Sequence, residues 1–126
     1  MATEQKGRTA VDPEITIAPT PHRVVVKLGG KIIADSKRAL VMRARDAAPS
    51  LYIPQEDVVM GALTRTSHHT QCPYKGDASY WTVRSGGRVS ENAVWSYETP
   101  FASMAQIKGY LSFYPDRVDS IEELAA

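Results

Sequence analysis

The sequence predicts a small single domain that is mainly β, a barrel or sandwich with one or two short helices. Three observations point there. Two Gly-Gly pairs, at 29–30 and 86–87, each stand between β-branched or aromatic runs. Glycine supplies the positive φ that a two-residue hairpin loop needs, so each pair reads as a hairpin. The remaining apolar runs are short, and few of them have helical spacing. Many short strands with little helix belong to all-β architectures.

The elements follow in order. Residues 1–21 are polar, carry Pro13, Pro19 and Pro21, and read as a flexible arm or an edge segment. The β domain then spans residues 22–119. "RVVVKL" and "KIIADS" are the two strands of the first hairpin, and "ALVMRA" and "SLYIP" are two more. "QEDVVMGAL" opens with Gln55, Glu56 and Asp57 and reads as one or two helical turns, which Glu56 and Asp57 would cap. "ASYWTVRS" and "RVSENAVWSY" flank the second Gly-Gly pair. "FASMAQ" reads as a short helix. In "IKGYLSFY", Ile107, Leu111 and Phe113 alternate with Lys108, Ser112 and Tyr114, as in a strand. The rival is one helix from Phe101 to Tyr114; Gly109 and the aromatics favour the strand. The tail at 120–126, within "DSIEELAA", closes with a helical turn.

A two-residue loop at Gly86-Gly87 sets a register. Ser85 lies opposite Arg88, Thr82 opposite Glu91, Trp81 opposite Asn92, Tyr80 opposite Ala93 and Ala78 opposite Trp95. Alternation then puts Tyr80, Thr82, Arg84, Glu91, Trp95 and Tyr97 on one face, and Trp81, Val83, Asn92 and Val94 on the other. The second face reads as core. The first reads either as a pocket wall or as an aromatic pair beneath a surface ion pair. A one-residue slip would exchange the faces.

Composition excludes several classes. Net charge is +1, so no global field favours nucleic acid or an anionic membrane. No apolar run approaches the roughly 20 residues that span a bilayer. The N-terminal stretch has no apolar leader, and one cysteine makes no internal disulfide, so a cytoplasmic protein is expected. One Cys with His22, His68 and His69 cannot form a Cys-x-x-Cys zinc knuckle. Adjacent His68 and His69 point opposite ways in an extended chain, and they read as part of a polar loop.

Candidate chemistry gathers around "TQCPYKGDASYW". Cys72 is a nucleophile if a nearby cation lowers its pKa, a ligand contact, or a buried filler. Pro73 shapes the corner. Lys75 with Gly76 is either a turn or a place where an ammonium meets an anion. Arg38 either holds an anion bidentately or braces Asp35 or Asp57. Tyr74, Tyr80, Trp81, Trp95, Tyr97 and Tyr114 are too many to be all core, so some line an opening. The expected ligand site therefore draws on Arg38, Tyr74, Lys75, Tyr80, Glu91, Trp95 and Tyr97, around a small aromatic or anionic molecule. A cysteine-dependent enzyme and a protein-interaction surface are the other readings.

The segments "LGGKIIADSKRAL", "YIPQEDV", "CPYKGDASYW", "ENAVWSYETP" and "IKGYLSFYPDRV", in this order, resemble the domain-of-unknown-function 427 family, sometimes labelled nucleotidyltransferase-like. The resemblance covers about residues 22–119. It implies a compact β domain similar to the β-tent group, which includes the thalidomide-binding domain of cereblon and a class of methionine sulfoxide reductases. Many of those proteins hold zinc with four cysteines. This chain has only Cys72, so no zinc site is expected. The family brings no established catalytic residues. A nucleotidyltransferase implies a Gly-Ser turn and an Asp-x-Asp pair on a strand, and neither occurs here.

Overall fold

The computed structural model describes residues 14–45 and 47–125. Ten strands run in the order β1 (Thr16–Pro19), β2 (His22–Leu28), β3 (Lys31–Ser36), β4 (Leu40–Arg43), β5 (Ser50–Tyr52), β6 (Leu63–Cys72), β7 (Gly76–Ser85), β8 (Arg88–Ser96), β9 (Leu111–Phe113) and β10 (Ser120–Ala125). Among the described residues the helical segments are 3-10 turns, the longest being Ala102–Ile107. No helix of the described residues is long and apolar enough to cross a membrane. The protein is mainly β, as its alternating runs imply. The strands form three antiparallel sheets, β1-β4-β5, β10-β2-β3 and β6-β7-β8-β9, rather than one closed barrel.

Two cores use opposite faces of the four-stranded sheet. On one face, Trp81, Val83, Val94, Leu111 and Phe113 pack with Val24, Val26, Leu28 and Ile33 of the β10-β2-β3 sheet. On the other, Ala78, Tyr80 and Tyr97 pack with Met42 and Tyr52 of the β1-β4-β5 sheet and with Met104 and Ile107 of the 3-10 segment. Both faces of this sheet are therefore covered along β7, β8 and β9, while β6 stays largely exposed.

The ends of the chain differ from the expectation. Thr16–Pro19, within the stretch read as a flexible arm or an edge segment, pairs with β4 as an edge strand, while residues 1–13 of that stretch lie outside the described residues. Ser120–Ala125, expected as a helical turn, pairs with β2 over six residues. Glu and Ala favour helix locally, but β2 offers an open row of backbone donors and acceptors, and pairing prevails. Leu63–Cys72, expected to hold a polar loop around His68 and His69, is a ten-residue edge strand. Its residues from Arg65 to His69 break the register with β7, a bulge of the kind common at sheet edges.

The second hairpin begins as expected, with Ser85 opposite Arg88 and Val83 opposite Ser90. Beyond Thr82 the register moves by two residues, so that Trp81 meets Val94 and Tyr80 meets Trp95. Asn92 sits in the left-handed region at φ 50° and absorbs the extra residues. A shift of two preserves the alternation. Tyr80, Trp95 and Tyr97 therefore share a face, and Trp81, Val83 and Val94 share the other.

The two hairpin tips touch each other. Gly29, Gly30, Gly86 and Gly87 all have positive φ, between 57° and 80°. A Cβ on Gly29 would overlap the Ser85 carbonyl oxygen, and one on Gly86 would overlap the Gly29 carbonyl, whereas Gly30 faces open space. Asp119 clips the pair, accepting from the Gly30 N–H at 3.0 Å and standing 3.8 Å from Arg88. Gly29→Ala should therefore cost about 3 kcal/mol, combining left-handed strain with overpacking. Gly30→Ala, with the same strain and free space, should cost about 1 kcal/mol. Equilibrium urea unfolding of the two variants checks this; equal losses would mean the tips do not pack.

Candidate functional site

The corner after Cys72 is a turn whose residues face different ways. The Lys75 N–H donates to the Cys72 carbonyl at 3.3 Å, and the Lys75 carbonyl accepts from Phe101 N–H at 3.0 Å. Gly76, at φ 117°, passes close to Pro100 and Thr99, so the loop at 98–101 seats directly on this corner. Cys72 is half-buried against the second core, while Tyr74 stays exposed. The Lys75 ammonium lies 5.9 Å from the centre of the Tyr97 ring, within reach of a cation–π attraction. A surface hollow of about 410 Å³ adjoins Cys72 and Phe101.

Arg38 lies elsewhere, on the turn between β3 and β4. Asp57 accepts from Ser36 Oγ at 2.7 Å and from Arg38 Nε and Nη2 at 3.3 and 3.1 Å. Arg23 makes a similar bidentate pair with Asp35 at 2.8 and 2.6 Å. Of the two readings of Arg38, the geometry matches the brace. Glu91 is exposed in the β8 bulge, and among the described residues its carboxylate forms no ion pair.

The structure does bring Tyr80, Trp95 and Tyr97 together, and it adds Tyr52, Tyr114 and His68. The Trp95 ring lies 4.4 Å from Tyr114 and meets Tyr52 edge-on at 6.2 Å. Tyr80 stacks with Tyr114 at 6.5 Å, and His68 contacts Tyr80 at 4.5 Å. The polar tips of Trp95, Tyr52, Tyr80 and Tyr114 are hydrogen-bonded within the group. Trp95 Nε1 donates to the Tyr52 hydroxyl at 3.3 Å. The Tyr80 hydroxyl is hydrogen-bonded to Thr70 Oγ1 at 2.9 Å and to the Tyr114 hydroxyl at 3.3 Å. Burial pushes the Tyr52 and Tyr114 phenols up to about 12, and raises Tyr97 as well, so all three stay neutral at physiological pH.

Exposure divides this group. Tyr80 and Tyr97 are only 5% and 7% exposed, so they are interior rather than an open wall. Trp95 is half-buried and lines a cavity of about 400 Å³. Val41, Arg43, Ser50 and Leu51 line it from the β1-β4-β5 sheet, Phe113 from β9, and Ile121 and Glu123 from β10, with Pro49 and Pro115 completing the wall. All three sheets meet at this cavity. Lys75, Arg38, Tyr74 and Glu91 do not line it. Of the residues expected at a ligand site, Trp95 lines this cavity; Arg43 and Phe113, whose strands carry no local sign of converging, line it too. Among the described residues, no three His, Cys, Asp or Glu side chains stand together as metal ligands would.

The Asp57 brace has a titration signature. Hydrogen bonding from Arg38 is the largest influence that holds its carboxyl below the ordinary 3.8. The Arg38 side chain is 61% exposed, so solvent screens the pair. Asp57→Asn should cost about 1 kcal/mol at neutral pH. A depressed folded value means that this contribution is complete above 3.8 and is lost as pH falls through the folded value. Urea stabilities of the two proteins should therefore converge in acid, and a gap that persisted there would assign Asp57 a different role.

Comparison with known families places these elements together. The model of a domain of unknown function, DUF427, matches residues 16–124, from the first residue of β1 to the fifth of β10. No curated protein matches the sequence. With the match running through all three sheets, the chain belongs to the DUF427 family.

Proposed function

We propose that this domain is a binding module for a small, flat organic molecule, held against Trp95 where the three sheets meet. The observation that carries the reading is the state of Trp95. Its indole nitrogen is tied to the Tyr52 hydroxyl and one side leans on Tyr114, while the ring also lines the cavity. An aromatic surface fixed before the ligand arrives loses little conformational entropy on binding. Its volume of about 400 Å³ is in the range of small-molecule pockets, and Val41, Leu51, Phe113 and Ile121 supply apolar lining.

Lys75 and Arg38 are not part of this reading, because one lies over Tyr97 and the other braces Asp57. Tyr80 and Tyr97 support the site from behind by packing the core under β8.

The test is thermal stability against a panel of heterocycles, aromatic acids and nucleotides. A ligand at roughly 100 times its Kd adds about 2.7 kcal/mol, a melting shift of several degrees. Trp95→Ala should abolish the shift. Trp95→Phe, which keeps a flat ring and most of the volume, should retain part of it and guards against a folding defect. Hits that survive Trp95→Ala at full strength would overturn the reading.

A further inference from the structure

Resting on that reading, we infer that the ligand's ring system carries a carboxylate and that Arg43 receives it at the rim of the cavity. Arg43 ends β4 and lines the cavity together with Ile121 and Glu123 of β10. Arg23, Arg38, Arg45, Arg65 and Arg88 each stand within 4.0 Å of a carboxylate. Among the described residues, the Arg43 guanidinium has no such partner. Arg84 and Arg117 also lack a carboxylate partner among the described residues, but neither lines this cavity. A guanidinium offers planar paired donors that match a carboxylate bidentately.

The other charged group on the lining is Glu123 of β10. It sets the orientation rather than opposing the anion. Its Oε1 lies 3.3 Å from His22 Nδ1 on the paired strand β2, so this carboxylate already has a partner. A ligand carboxylate is repelled by Glu123 and attracted to Arg43, with the ring lying against Trp95. A cationic ligand would be repelled by Arg43 and would have to compete with His22 for the Glu123 carboxylate. A neutral ring would leave the guanidinium only to solvent. The chemical class is therefore a flat aromatic carboxylic acid in its ionised form.

Naphthoate and naphthamide are the probes, since they share a ring and differ in charge. Binding is followed by melting shift and by Trp fluorescence in the full chain. The acid should bind about tenfold more tightly than the amide. Arg43→Gln should remove that preference by weakening the acid and leaving the amide unchanged. Added salt should narrow it as well, because the pair is exposed. The melting temperature of unliganded Arg43→Gln should match the parent, since Arg43 is a surface group. Equal affinity for acid and amide, with both lost in Trp95→Ala, would overturn the inference and leave the Trp95 site standing. A preference that survives in Arg43→Gln would move the anion contact to another residue. Failure of both probes to bind, at millimolar concentration, would overturn the inference together with the reading beneath it.

Discussion

Two backbone hydrogen bonds, each 2.8 Å, join Ile53 to Leu111 in both directions and stitch the end of β5 to the start of β9. A third contact extends the seam, as Ser112 Oγ donates to the Leu51 carbonyl at 2.8 Å. Ser112 is the register partner of Trp95, and Tyr52 lies between Leu51 and Ile53. The seam thus brings the Tyr52 hydroxyl to the Trp95 indole nitrogen. It also carries Leu51 and Phe113 to one cavity wall. Buried backbone groups must be paired, so the seam has few alternative registers once Ile53 and Leu111 are inside.

The four-stranded sheet carries the consequences. Covering both of its faces along β7, β8 and β9 places Trp81 in one core and Tyr80 with Tyr97 in the other. Aromatic side chains supply much of the buried area available to a chain of 126 residues. A buried hydroxyl needs a partner; Tyr80 finds its partners in Tyr114 and Thr70, and Tyr52 accepts from Trp95. Trp95 is the member of this group that both anchors inward and borders open space. Its position near the sheet junction, rather than its residue type, distinguishes it from Trp81, whose ring is covered by Arg65 at 4.8 Å.

The parts of the fold legible in the sequence are those with local causes. Both hairpins were readable because Gly-Gly occupies positions that demand positive φ. The faces of the second hairpin were readable although its register was not, because β8 holds two extra residues around Asn92 and an even shift preserves the alternation on either side of it. β6 was missed because "LTRTSHHTQC" has almost no apolar alternation; as an edge strand with a bulge it owes its form to pairing with β7. β10 was misread because its local helix preference is weaker than six residues of pairing with β2.

The candidate site divides along the same line. The residues alone determined a mainly β chain, the two tight turns, and an aromatic cluster in which Tyr80, Trp95 and Tyr97 share a face, because turn geometry and strand alternation act over a few residues. Only the tertiary structure decided that Tyr80 and Tyr97 are interior, that Arg38 braces Asp57, and that Arg43, Trp95 and Phe113 border one cavity. Those outcomes depend on where three sheets, distant in sequence, come to rest against each other. That placement is set by long-range backbone pairing at Ile53–Leu111 and by contact between the Gly29 and Gly86 tips, which no local pattern encodes.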